Sequence, residues 1–238
     1  MSKIILIRHG QASYGAANYD NLSEKGIVQS RALGEYFVAK KIQLDKIYVG
    51  KLQRHLQTFE AFSSAFMDNN LELPIPVFLE ELNEHHGNET LRLAFDDFTK
   101  QYAHAKKLAD EVRADPQLQR KNSLLIFEMF FKEYTTGRFQ FEHESVQSWK
   151  DFRNQTKKGI EQIKNEIGSG ETVGVFTSGG TKSSIIGDLL GVNEEQVAEF
   201  NLVMKNTSFS QLLFSKNKIN ILTLNETPHL PDELITFI

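Results

Sequence analysis

Apolar residues along this chain follow two alternating rhythms: short dense runs, and longer stretches in which they recur every three or four positions. The first dense run is Ile4-Ile5-Leu6-Ile7, mostly β-branched, which reads as a strand buried on both faces. Gln11 to Asn21 is polar and small and reads as a loop over the strand end. Ser23 is placed to cap a helix that carries Ile27, Leu33, Phe37 and Val38 at helical spacing to about Lys40. Asp45 to Val49 is a second short strand closed by Gly50, and Leu52 opens a helix that continues through Phe59, Phe62 and Phe66. Val77 to Leu82 is a third strand-like run, leading into the polar sequence Asn83-Glu84-His85-His86-Gly87.

From Leu91 to about Phe139 the rhythm is helical throughout and no strand interrupts it. Strands resume after a helix over Glu144 to Ile167: Thr172 to Phe176 is one, and the turn Thr177-Ser178-Gly179-Gly180-Thr181 leads into a helix over Lys182 to Leu190. Phe209 to Phe214 and Ile219 to Leu224 form a closing hairpin across Lys216-Asn217-Lys218. Strands alternating with helices imply an α/β three-layer sandwich, with a mainly parallel sheet and helices on both faces. The expectation is one domain over residues 1–238 with a helical insertion at about 88–142, because a structureless loop of that length is improbable.

Composition narrows the functional classes. With 40% hydrophobic and 24% charged residues and no low-complexity tract, the chain reads as an ordinary globular protein. A net charge of −4 provides no global basic field, which argues against nucleic acid as the main partner while leaving room for a local anion pocket. The absence of cysteine excludes disulfides, thiolate metal sites and a cysteine nucleophile. No apolar run is long enough for a membrane span, so the expectation is a cytoplasmic protein with no membrane partner; a homodimer is compatible with the sequence.

The chemistry concentrates where strands end. Arg8 and His9 follow the first strand directly, and ligands in open α/β sheets bind outside the carboxyl ends of strands. Arginine offers a planar fork of donors suited to phosphate, and histidine is a nucleophile or proton carrier near neutral pH. Arg54, at a helix start just beyond the second strand, occupies the same kind of location. Lys106-Lys107 and Lys157-Lys158 read as solvated helix faces, and Phe127, Phe130, Phe131, Phe139 and Phe141 as insertion core. Adjacent His85 and His86 point apart in extended chain, and two arginines repel a cation, so no metal and no cofactor are expected.

Leu6-Ile7-Arg8-His9-Gly10, Leu22-Ser23-Glu24-Lys25-Gly26 with Gln29, Leu52-Gln53-Arg54 through Gln57-Thr58, and Leu82-Asn83-Glu84 follow one another in an order that resembles the motifs of the histidine phosphatase superfamily, the phosphoglycerate mutase-like proteins. The resemblance extends to Glu144-Ser145 with Arg153, to Val173 through Gly180, and loosely to His229-Leu230. It implies that His9 attacks phosphorus and becomes phosphorylated, that Arg8 and Arg54 clamp the non-bridging oxygens, and that Glu84 protonates the leaving oxygen. The implied activity is hydrolysis of a small phosphomonoester. The competing readings are a catalytically impaired member that binds a phosphorylated ligand, and a phosphomutase.

Two positions depart from the family pattern. Ser178 stands where the family has a second histidine, and Gly15 where many members place an asparagine. Serine donates one hydrogen bond but carries no charge, and loss of one transition-state donor lowers a rate about 10²- to 10³-fold. Compensation is expected from the backbone of Ser178 and Gly179 at a helix N-terminus, or from His85 or His86 in the loop after Glu84. Gln11 and Ser13, at the start of the loop over the first strand, complete the expected phosphate- and substrate-binding set.

Overall fold

The computed structural model describes residues 1–13, 20–215 and 218–237. Six strands form one sheet in the order β3-β2-β4-β1-β5-β6, where β1 is Ser2–Arg8, β2 Lys46–Gly50, β3 Val77–Leu79, β4 Thr172–Thr177, β5 Phe209–Ser215 and β6 Lys218–Glu226. The first four run parallel, and β5 and β6 form an antiparallel edge beside β1. Eight α-helices are present among the described residues: α1 Glu24–Ala39, α2 Gln53–Asp68, α3 Gly87–Gln101, α4 Ala103–Ala114, α5 Gln119–Thr135, α6 Trp149–Glu166, α7 Gly179–Leu190 and α8 Glu194–Val203. This is the expected α/β sandwich with a mostly parallel sheet.

Alternation along β1 explains the unbroken apolar run that encodes it. Ile5 and Ile7 face α1 and α2, packing with Leu33, Phe37, Val49, Phe62 and Phe176. Ile4 and Leu6 face the other layer and meet Ile160, Ile163, Ile185 and Ile186 of α6 and α7. A strand covered on both faces needs apolar residues at every position. A third cluster lies off the sheet: α3, α4 and α5 pack Ala94, Phe98, Leu108, Ile126 and Phe130 against Trp149 and Phe152 of α6 and Val197 of α8. The stretch expected as a helical insertion therefore consists of three helices docked on α6 and α8.

Several expectations are corrected. Ile27 is half-exposed; the buried stripe of α1 runs instead through Gly26, Gln29, Ser30, Leu33, Gly34 and Phe37, where polar and small residues hold close backbone contacts. The third run is a strand only to Leu79 and then turns as a single 3₁₀ turn, Glu80–Leu82. The helix expected from Glu144 begins only at Trp149, because the Ser148 side chain caps it by accepting from the Asp151 N–H. α8 has no counterpart in the sequence reading, although Asn193 and Gln196 form a capping box at its start. The loop residues 14–19, including Gly15, and residues 216–217 of the hairpin lie outside the described residues.

Candidate active site

Because β1 to β4 run the same way, their carboxyl ends share one edge of the sheet, and that edge gathers Arg8, His9, Arg54 and Glu84. All four line one cavity of about 420 Å³. Its opposite wall comes from the three-helix segment and α8, through Leu91, Leu124, Phe127, Phe131 and Leu202, with Phe237 of the C-terminal stretch.

His9 is buried, and its hydrogen bonds fix its tautomer. Nδ1 lies 2.7 Å from the Gly10 carbonyl, which can only accept, so Nδ1 carries the proton. Nε2 receives the Arg54 Nε–H at 3.2 Å, so it presents a lone pair. Burial, and then the charges of Arg54 and Arg8, hold this imidazole well below the usual histidine range, so it is neutral at physiological pH. Arg54 also forms an ion pair with Asp20, whose second oxygen accepts the Gln53 N–H at 2.8 Å and so ties the loop to the start of α2. Arg8 Nη1 donates to the carbonyls of Met204 and Phe237.

Glu84 reaches the edge from the turn after β3. Its Oε2 accepts the Gly180 N–H at 2.9 Å and its Oε1 the His85 N–H at 3.0 Å. A Cβ at residue 180 would stand 2.1 Å from Oε1, so only glycine admits the carboxylate there. The N-terminus of α7, expected to offer its amides to phosphate, thus already gives one of them to Glu84.

The remaining expected ligands are dispersed. Ser178 and Gly179 are buried beneath the cavity rather than lining it, and Ser178 makes no capping bond to its own helix. The Ser178 Oγ instead lies 2.6 Å from Nε2 of His55, a residue without exposed surface. Gln11 and Ser13 line a separate hollow beside Lys25 and Arg120. The Ser13 hydroxyl donates to the Leu22 carbonyl at 3.0 Å. His85 reaches the cavity wall, but its ring is packed among Tyr134, Trp149 and Phe152, and Nε2 meets the Gln147 carbonyl at 3.1 Å. Phe127 and Phe131, read as insertion core, face the cavity as well. Among the described residues, no three histidine, aspartate or glutamate side chains converge as they would around a cation.

Some neighbours of the site carry little sequence signal. Lys182 is fully buried behind Arg8, donates to the Ser208 carbonyl and hydroxyl at 2.8 and 2.9 Å, and is held well below the usual lysine range by burial and then by Arg8. Asn201 and Leu202 reach the cavity on α8, a helix whose sequence signal is the Asn-x-x-Gln cap at its start. Gln57 and Thr58 of the Arg54 motif brace the backbone, accepting the N–H groups of Leu22 at 2.7 Å and Gly10 at 3.0 Å.

A histidine between two arginines at the carboxyl edge of this sheet is the arrangement that the motif order anticipates, and the chain belongs to the histidine phosphatase superfamily (branch 1), whose model matches residues 4–227. A 2,3-bisphosphoglycerate-dependent phosphoglycerate mutase from Staphylococcus saprophyticus is 24% identical over 221 residues, covering 85% of this chain and 90% of that protein. Bacillus stearothermophilus YhfR shares the fold with a TM-score of 0.66 at 17% identity, over 96% of this chain and 99% of that one. A mutant phosphoserine phosphatase from Entamoeba histolytica, in complex with phosphoserine, superimposes with a TM-score of 0.63 at 17% identity, over 97% of this chain and 100% of that one.

Proposed function

We propose that the chain hydrolyses a small phosphomonoester through a phosphohistidine on His9. One observation carries this reading: Nε2 of His9, at the cavity, holds a lone pair that accepts the Arg54 Nε–H, while Nδ1–H is anchored on Gly10. An incoming phosphoryl oxygen would take the Arg54 Nε–H from Nε2 and so release the nucleophile only when substrate is bound. The N–P bond forms as the ester P–O bond breaks, Arg8 and Arg54 hold the non-bridging oxygens, and Glu84 gives its proton to the leaving oxygen. Water then attacks phosphorus, its proton passes to the Glu84 carboxylate, the N–P bond breaks and orthophosphate leaves.

The cavity also bears on the choice between hydrolase and mutase. Among the described residues its arginines are Arg8 and Arg54, and the far wall combines leucine and phenylalanine with Asn88, Glu89, Ser123 and Asn201. Phosphoglycerate carries a carboxylate besides its phosphate, and among the described residues that wall offers it no arginine or lysine. An ester of an uncharged, largely apolar alcohol suits the wall better. In this reading Ser178 replaces the family's second histidine. The test is turnover of p-nitrophenyl phosphate and of 3-phosphoglycerate, with and without EDTA. Hydrolysis of the former that survives EDTA and vanishes in His9→Ala is expected. Isomerisation of 3-phosphoglycerate would favour the mutase, and phosphate binding without turnover the impaired binding protein.

A further inference from the structure

The groove between α3 and α5 continues past the cavity wall. On α3, Gly87 and Leu91 line the cavity, and Phe95, one turn further on, lines a side pocket of about 260 Å³. On α5, Phe131, Phe127 and Ser123 follow the cavity wall in the same four-residue steps, and Ser123 and Ile126 line the side pocket. Residues four apart share a helix face, so each helix presents one stripe to both spaces. Leu91 and Ser123 border both, and the side pocket therefore begins where the cavity ends. α4 forms its far end through Ala109, Val112 and Arg113.

The chemistry of the lining limits what belongs there. Apart from the Ser123 hydroxyl it is apolar up to Arg113, whose exposed guanidinium is already paired with Asp110 at 3.0 Å. Phe95 and Val112 are only half-buried, whereas Ala94 and Phe98 on the same bundle have no exposed surface. Apolar surface left against water forgoes the stabilisation of burial, which an apolar occupant would restore. From Gly87 to Phe95 the shared stripe of α3 runs about 12 Å along the helix axis. An occupant that touches both spaces is therefore long, slender and uncharged at its far end.

We infer that the side pocket is the subsite for the far end of the substrate's alcohol, and that the substrate class is the phosphomonoester of an unbranched aliphatic chain. Its phosphate lies at Arg8 and Arg54, and its chain passes Leu91 and Ser123 to end against Ala109 and Val112. This rests on the reading of the cavity as a phosphomonoester site. Continuity with that cavity is what selects a substrate chain over a docked protein, which would fill the side pocket without regard to the phosphate.

A series of n-alkyl phosphates from ethyl to decyl, kept below micelle formation, tests the subsite. In wild type kcat/KM should rise about fourfold for each methylene that enters the side pocket and then level off. The rise should lie in KM, because the chain end touches no reacting atom. Val112→Phe, which fills the pocket, should level off at a shorter chain and cut the decyl-to-ethyl ratio of kcat/KM at least about tenfold. Val112→Thr, of nearly the same size but with a hydroxyl, should lower that ratio by a smaller factor. No dependence on chain length in wild type, or an unchanged ratio in both variants, would overturn the inference. If wild type hydrolyses none of the series, the hydrolase reading fails, and calorimetric titration with the same alkyl phosphates judges the subsite alone. Affinity that climbs with chain length in wild type and loses that climb in Val112→Phe is expected. Affinity independent of length, or no binding, would reject the subsite.

Discussion

At the scale of single residues, Glu84 and His9 are fixed by opposite means. His9 is anchored by one carbonyl and presents a lone pair, whereas both oxygens of Glu84 accept backbone N–H groups, one from the first turn of α7. A proposed acid held this way is set in position by the backbone, and substitution should separate its chemistry from its place. Glu84→Gln keeps an acceptor for the Gly180 N–H but has no proton to give. Its kcat/KM, which ends at departure of the leaving group and so excludes the later attack of water, should fall about 10²- to 10⁴-fold for an alkyl phosphate and far less for p-nitrophenyl phosphate, whose leaving group departs unprotonated. Equal losses on both substrates would remove Glu84 as the acid. Arg8, His9 and Arg54 were legible as candidates because each stands at or just beyond a strand end, whereas Glu84 was singled out by the motif order alone. His55 was not legible: one position from Arg54 on a helix, nothing in the linear order says that Arg54 turns to the cavity and its neighbour to Ser178.

At the scale of elements, the dense apolar runs found the strands because a strand covered on both faces leaves little sequence ambiguity, as Ile4 to Ile7 illustrate. α8 escaped because its apolar residues form no single buried stripe: Val197 and Ala198 are buried, while Val203 is half-exposed. The missed helix carried part of the site with it, since Asn201 and Leu202 form cavity wall. How the three-helix segment docks was likewise beyond the sequence. The contact centres on His85, whose ring lies between Tyr134 of α5 and Trp149 and Phe152 of α6, and burial lowers its pKa to about 4. Because the unfolded chain binds that proton first, at a pKa of about 6.5, this contribution is complete above about pH 6.5 and is lost as pH falls toward 4. The most that His85 can contribute this way is about 3 kcal/mol. Urea denaturation from pH 7 to 4 should therefore show a loss of stability whose slope is reduced in His85→Phe, the other buried histidines keeping the remainder, and an unchanged slope in that variant would contradict the buried neutral state.

At the scale of the whole molecule, the sheet edge gathers the residues of the proposed phosphoryl chemistry and the helices docked on α6 and α8 supply the opposing wall. Parallel β1 to β4 bring the charged residues to one edge, and Leu91, Leu124, Phe127 and Phe131 face them across the cavity. This division separates, in the proposed reaction, the groups that hold the phosphoryl group from those that meet the alcohol. It also makes His9 the point on which the proposed function stands. The most direct measurement is mass spectrometry of the intact protein, quenched within its first turnovers of p-nitrophenyl phosphate and followed by peptide mapping. One phosphoryl group on His9, decaying at the rate at which orthophosphate appears, is the expected result. Steady turnover with no phosphoryl group on His9, undiminished in His9→Ala, would contradict it.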